Sequence, residues 1–359
     1  MKLESIEQNG HNENVPWIMA GPCSAETEEQ VMQTAHALAK QGVTCFRAGV
    51  WKPRTKPGGF EGIGVTALKW LKRVKKETGM FVATEVATRE HVFEAIKAGI
   101  DILWVGARTT VNPFAVQDIA DALRGTDIPV LVKNPVNPDL ELWVGALERL
   151  YNVGVCRLAA IHRGFSSREQ SLYRNDPLWQ IPMDLKKRIP ELPILCDPSH
   201  IAGKSELVAD ISRQALQCSC FDGLFVESHC QPEVALSDAR QQITPDKIVD
   251  LLQLWLSGPE ALEGDKLSGL RGQIDRIDEE FLKLLARRIH IALEIGEFKK
   301  RNDMPILQSN RYNEIIDNRI RLGEMMQLNP SFVKKILDDI HEESVKQQTM
   351  NPNQEEIFS

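Results

Sequence analysis

Apolar positions along the first two thirds of the chain fall into two alternating kinds of run. Short stretches of strand length recur: "WIMA", "VTCFRA", "MFVATE", "DILWVGA", "IPVLVK", "VGVCRLA", "LPILCD" and "DGLFVE". Between most of them the apolar residues return every three or four positions, the period of an amphipathic helix. These segments predict helices over 28–40, 65–76 and 90–98 among others. Eight strand-length runs alternating with helices predict an α/β protein, a (β/α)8 TIM barrel, ahead of an open doubly wound sheet.

Beyond this region the pattern changes. Leu267, Leu270, Ile274, Ile277, Phe281, Leu284, Arg288, Ile291, Ile295 and Phe298 follow one another in steps of three and four, as in the seam of a helical bundle or coiled coil. Arg288 breaks the seam, and a buried guanidinium is costly unless it meets an anion. Two further helices are expected over 308–326 and 331–350, with a frayed end at 351–359. The stretch "LSGPEALEGDK", 256–266, combines Gly, Pro and charge and reads as a linker. All seven Trp and 19 of the 23 Gly precede residue 268. The expected organisation is therefore a barrel over 1–258, a linker over 259–266 and a small all-helical domain over 267–350.

Composition narrows the function classes. Of 359 residues, 42% are hydrophobic and 26% charged, as in globular chains, and the net charge of −7 argues against general nucleic-acid or anionic-membrane partners. The polar start "MKLESIEQNGHNENVP" lacks the apolar core of a signal peptide, and no apolar run approaches the ~20 residues of a membrane span. Seven cysteines without framework spacing suit a reducing, cytoplasmic setting; "CSC" (Cys218, Cys220) reads as structural.

The chemistry lies at the ends of the strand-length runs. Reading outward from each, one meets Cys23, Arg47 with Lys52, Glu85, Arg108, Lys133, Arg163, Asp197 with His200, and Glu227. A barrel brings such positions to one mouth. Arg47, Lys52, Arg54, Arg108, Lys133 and Arg163 predict a small polyanionic ligand, because guanidinium forks and ammonium groups bind phosphate and carboxylate. "KPRTKPGGF" (52–60) has the stiffness of a phosphate-holding loop. Cys23, His200, Glu227 and Asp238 together form a divalent-metal donor set of mixed softness, suited to Mn, Fe, Co or Zn rather than Mg or Ca. A Cys23 nucleophile with His162 or His200 as base is the alternative, ranked lower for want of an acyl-transfer layout.

"GPCSAE", "FRAG", "KPRT", "GAR", "KNP", "HRG", "DPSH" and "SDARQQ", in that order over about 15–256, resemble the 3-deoxy-D-arabino-heptulosonate 7-phosphate (DAHP) synthase family. Within it they resemble the subgroup related to 3-deoxy-octulosonate 8-phosphate synthase, from which "KPRT" distinguishes this chain. The tail resembles the all-helical chorismate mutase family through "LRGQIDRIDEEFLKLLARRIHIALEIGEFK" and "ESVKQQ". The two resemblances imply a bifunctional shikimate-pathway enzyme. One activity condenses phosphoenolpyruvate with erythrose 4-phosphate; the other rearranges chorismate to prephenate.

The first resemblance makes Cys23, His200, Glu227 and Asp238 ligands of a divalent metal, Mn foremost. It assigns phosphoenolpyruvate to Arg47, Lys52, Arg108, Lys133 and Arg163, with Lys52 and Lys133 catalytic. Arg54 and Thr55 would take the phosphate of erythrose 4-phosphate, and Glu85 would line the site. In the tail the resemblance points to Arg271, Arg288, Lys299, Arg311 and Gln348, with Arg288, Lys299 and Gln348 catalytic. Arg288 and Lys299, eleven residues apart, share a helix face. Arg271, 17 residues before Arg288, is about 26 Å away along the axis, which agrees with the family's interlocked dimer, where a partner supplies one arginine. Gln308 and Tyr312 depart from the family pattern, standing where an Asp and a Glu are expected. Prephenate or chorismate bound by the tail is the expected feedback inhibitor of the synthase. The competing expectation is an octulosonate-type synthase with a non-catalytic helical sensor or dimerisation module.

Overall fold

The structure, a computed structural model, describes residues 1–6, 16–52, 58–166, 172–257, 263–305 and 309–349, without the side chains of 263–271 and 309–315. Arg54, Thr55 and Gln308 lie outside the described residues, as do the side chains of Arg271, Arg311 and Tyr312.

Strands and helices alternate along the first unit. They are β1 (Trp17–Gly21), α1 (Glu28–Lys40), β2 (Cys45–Arg47), α2 (Val65–Thr78), β3 (Phe81–Val86), α3 (Arg89–Ala98) and β4 (Ile102–Val105). There follow α4 (Ala107–Thr110), α5 (Pro113–Leu123), β5 (Val130–Lys133), α6 (Leu140–Asn152), β6 (Leu158–His162), α7 (Gln180–Arg188) and β7 (Ile194–Cys196). The unit closes with α8 (Pro198–Ala202), α9 (Val208–Gln217), β8 (Gly223–Glu227) and α10 (Ile248–Leu256). Every strand pairs in parallel with its sequence neighbour, and β8 returns to β1 from Trp17↔Gly223 to Gly21↔Glu227, so the barrel is closed. A closed barrel has no sheet edge left to pair.

The period-2 alternation of strand side chains decides what each strand offers to the inside. Met19, Cys45, Ala83, Trp104, Leu131, Ile161, Leu195 and Phe225 fill the barrel interior, while Phe46, Leu103, Val132, Ala160 and Val226 pack outward beneath the helices. Two residues beyond an interior residue, the chain again faces inward. Arg47, Glu85, Lys133, Arg163, Asp197 and Glu227 all stand in that relation to Cys45, Ala83, Leu131, Ile161, Leu195 and Phe225. The charged layer is thus stacked directly on the apolar plug at the carboxyl ends of the strands. Helices begin where capping side chains accept backbone N–H groups: Thr27 from Gln30 for α1, Thr88 from His91 for α3, and Asp139 from Leu142 for α6.

The chain divides into two compact units, Met1–Lys266 and Leu267–Ser359. The second contains α11 (Glu263–Arg301, begun in the first), α12 (Ser309–Met325) and α13 (Pro330–Thr349). Helix α11 starts inside the stretch that the composition marks as linker. Its stripe of apolar residues also differs from expectation as a core: Ile274, Ile277, Phe281, Leu284, Ile291, Ile295 and Phe298 are 48–63% exposed in the single chain. The face that meets α13 is a neighbouring one. Arg288 Nη1 donates to Ser344 Oγ at 2.9 Å, and Gln348 Nε2 to the Ala292 carbonyl at 2.6 Å. Gly296 leaves the room for Gln348, since a Cβ there would lie 2.7 Å from its Cγ. Arg288 is therefore not sunk in an apolar seam, and the seam is open.

Candidate active site at the barrel mouth

The carboxyl ends of the strands surround one cavity lined by Lys52, Glu85, Arg108, Lys133, Arg163, Arg174, His200 and Asp238 with Gly106, Ala107 and Val136. Four cations that the strand-end reading singled out, Lys52, Arg108, Lys133 and Arg163, face this space. Arg47 does not. It is 1% exposed, its guanidinium lies 4.9 and 4.6 Å over the rings of Trp104 and Phe225, and its Nη1 donates to Glu227 Oε1 at 2.9 Å. It sits against two aromatic rings, with its charge paired to Glu227.

Beside the cavity Cys23, Glu227 and Asp238 bring one donor atom each within 4.8 Å of one another. Cys23 Sγ donates to Asp238 Oδ2 at 3.4 Å, and Lys52 Nζ donates to Cys23 Sγ at 3.1 Å and to its carbonyl at 3.2 Å. His200 lies next to this group: its Nε2 is 3.8 Å from Glu227 Oε1 and its Nδ1 2.8 Å from Asp197 Oδ2. Asp197 also caps α8 by accepting the His200 backbone N–H at 3.0 Å and takes Lys133 Nζ at 2.8 Å. A metal-binding imidazole is normally oriented in this way, with one nitrogen toward a carboxylate and the other toward the ion.

The electrostatics follow from burial and pairing. Burial, and then Glu227, push the Cys23 thiol far above its usual range. Burial opposes the charge on Glu227, but His200 and Arg47 overcome it and hold the carboxyl well below the usual range. Arg47, always charged, is the partner that persists when His200 is neutral. Burial likewise opposes the charge of Asp238, and His200 and Arg174 hold that carboxyl down. His200 itself is lowered by burial against the pull of Asp197, which favours the neutral imidazole that a metal requires. One soft thiol and two anionic carboxylates in mutual reach, with an imidazole beside Glu227, fit a divalent ion of intermediate softness.

His162, the other base considered for Cys23, faces outward from β6 among Trp143, Phe165, Trp179 and Phe221, with ring centroids 5.5–6.3 Å away. It is a core residue. Strand-end reading also missed three polar side chains. Arg174 Nη1 donates to Asp238 Oδ1 at 2.9 Å, Gln241 Nε2 to Glu227 Oε2 at 2.7 Å, and Gln242 Oε1 accepts the Cys23 backbone N–H at 3.0 Å. Arg174 and Gln242 lie on loops and Gln241 ends a single 3-10 turn, Ala239–Gln241, where no period marks them; only the quoted "SDARQQ" contained a signal for the two glutamines.

The described residues contain no helix long and apolar enough to cross a membrane. Comparison with family models matches residues 3–262 to the DAHP synthetase I family and residues 270–349 to chorismate mutase type II. Among curated relatives, a phospho-2-dehydro-3-deoxyheptonate aldolase of Thermotoga maritima is 35% identical over 236 residues, 66% of this chain and 68% of that protein. A 2-dehydro-3-deoxyphosphooctonate aldolase of Nitratidesulfovibrio vulgaris is 27% identical over 67% of this chain and 92% of its own length. Among solved structures, the phospho-2-dehydro-3-deoxyheptonate aldolase (DAHP synthase) of Thermotoga maritima superimposes with a TM-score of 0.61 and 32% identity, covering 68% of this chain and 69% of that one.

Proposed function

The chain belongs to the DAHP synthetase I family over residues 3–262 and carries a chorismate mutase type II domain over 270–349, a bifunctional shikimate-pathway enzyme; from this premise we propose that its synthase is metal-dependent and that the helical domain both rearranges chorismate and senses its product. The observation that carries the synthase reading is the single cavity where Lys52, Arg108, Lys133 and Arg163 meet His200 and Asp238.

Cys23, His200, Glu227 and Asp238 would hold the metal, which when bound supplies Lewis-acid polarisation of an aldehyde oxygen. Manganese is the first candidate, and iron, cobalt or zinc fit the same donors. Arg108, Lys133 and Arg163 bind the phosphate and carboxylate of phosphoenolpyruvate, and the Asp197 contact keeps Lys133 aimed. Its enol carbon attacks the aldehyde carbon of erythrose 4-phosphate, water adds at C2 of the adduct, and inorganic phosphate leaves. Lys52 Nζ is the positioned donor for the oxygen that gains a proton. Arg54 and Thr55 take the sugar phosphate, and Glu85 lines the pocket. Arg47 acts through Glu227 rather than on substrate. Fixing both anions in one cavity lowers the entropic barrier, and the cations stabilise spreading negative charge.

In the helical domain Arg288, Lys299 and Gln348, with Arg311 and a partner's Arg271, would clamp the dicarboxylate in its compact conformer. The open seam supports a homodimer. Free thiols at all seven cysteines support a cytoplasmic setting.

The test is one assay series. Phosphoenolpyruvate consumption should require erythrose 4-phosphate and fail with arabinose 5-phosphate; preference for arabinose 5-phosphate would establish the octulosonate reading instead. The same preparation should deplete chorismate, and Arg288→Ala should abolish this; tight prephenate binding without turnover would make the tail a sensor only. Prephenate added to the synthase assay should lower its rate in the intact chain and not after deletion of 260–359. Inhibition that survives the deletion would remove the tail from regulation.

A further inference from the structure

Asp238 is held in an unusual posture. Its backbone has φ +49°, a left-handed conformation that a non-glycine residue keeps only when its surroundings enforce it. The surrounding loop is closed by backbone bonds, His229 N–H to the Ile243 carbonyl and Ile243 N–H to the Glu227 carbonyl, both 3.0 Å. Within that frame the carboxylate oxygens are divided. Oδ2 faces Cys23 Sγ at 3.4 Å, whereas Oδ1 accepts from Arg174 Nη1 at 2.9 Å. The same Nη1 also donates to Gln241 Oε1 at 2.6 Å, and Gln241 in turn donates to Glu227 Oε2.

Arg174 is itself anchored to the segment that follows β7, the strand beside β8. Its backbone N–H and that of Asn175 donate to the Ile201 carbonyl at 3.0 and 3.2 Å, and Asn175 Nδ2 donates to the His200 carbonyl at 2.6 Å. Asn175 Oδ1 accepts Arg163 Nη1 at 2.8 Å. The close approach needs Gly203, where a Cβ would lie 2.4 Å from that of Arg174. One side chain therefore ties the segment bearing His200 to both carboxylates of the β8 end.

We propose that Arg174 is a positioning residue that fixes Asp238 as a one-oxygen ligand and, through Gln241, aligns Glu227 with it. By occupying Oδ1 it leaves Oδ2 alone toward the thiol, and its fixed positive charge offsets part of the repulsion between the two carboxylates. The inference rests on the metal reading above. Partners of this kind are worth about 10–100-fold in metal affinity.

The test titrates the metal-stripped full chain with Co(II) and follows the absorption of a cobalt–thiolate bond, with the KM for phosphoenolpyruvate measured in parallel. Arg174→Ala should bind Co(II) about 10–100-fold more weakly than the parent, Arg174→Lys should recover part of the loss, and the KM should stay within about twofold. Arg174→Gln serves if the alanine variant does not fold. Equal Co(II) affinity in parent and variants overturns the inference, as does an unchanged affinity with a raised KM, which would make Arg174 a substrate contact. A parent protein without the thiolate band would instead overturn the metal reading itself.

Discussion

His162 and Arg163 are adjacent on the chain and do unrelated work, because β6 turns consecutive side chains to opposite faces. Arg163 enters the anion cavity, where burial lowers its pKa to about 10. His162 enters the layer between strand and helices, where burial among four aromatic rings lowers its pKa to about 3. The folded pKa lies below the unfolded value, so the unfolded chain takes up the proton first as pH falls. The stability that His162 contributes is present above pH 6.5 and is lost toward pH 3, at a slope of up to about 1.4 kcal/mol per pH unit. His162→Leu should flatten the fall of unfolding free energy across this window in denaturant titrations. Parallel curves for parent and variant would show that His162 does not titrate on unfolding. The two fates were legible in principle from parity alone, since Arg163 is two residues from interior Ile161 and His162 is not. The committed state of Arg47 was not: nothing local shows that Trp104, Phe225 and Glu227, remote in sequence, enclose its side chain.

At the scale of elements, the barrel could be read because two periods alternate and because an ionisable residue stands at or within three positions of each strand's end. Helix α1 has the limits its spacing predicts, Glu28–Lys40, and α2 and α3 shift by a residue or two where Gly79 and Thr88 supply the caps. Loops and single 3-10 turns gave no such signal, which is why Arg174 and Gln241 escaped a strand-end reading. Helix α11 shows the reverse problem. Its heptad stripe was visible, but the pattern does not say which molecule the stripe packs against. In the single chain Ile277 and Phe298 are 63% and 62% exposed. If a second copy covers this face, Ile277→Asp should convert a dimer into a monomer in sedimentation and lower chorismate turnover at least tenfold. A variant that remains dimeric with the parent's turnover would place the interface elsewhere.

At the scale of the whole molecule, a net charge of −7 coexists with a cavity that collects Lys52, Arg108, Lys133 and Arg163. The acidic exterior does not oppose this, because the local field of a recessed basic site decides which anion is held. The two activities have different needs. The barrel mouth arranges fixed charges around the proposed metal donors, whereas the rearrangement of a dicarboxylate asks only for clamping cations and a polar donor. On the proposed reading, dependence on an ion separates them. The most direct measurement removes bound metal with a chelator, restores Mn, and follows phosphoenolpyruvate consumption with erythrose 4-phosphate alongside chorismate loss in the same sample. Synthase activity that stops on chelation and returns with Mn, while chorismate loss continues throughout, is the predicted result. Synthase activity that survives complete removal of metal would contradict the assignment of Cys23, His200, Glu227 and Asp238.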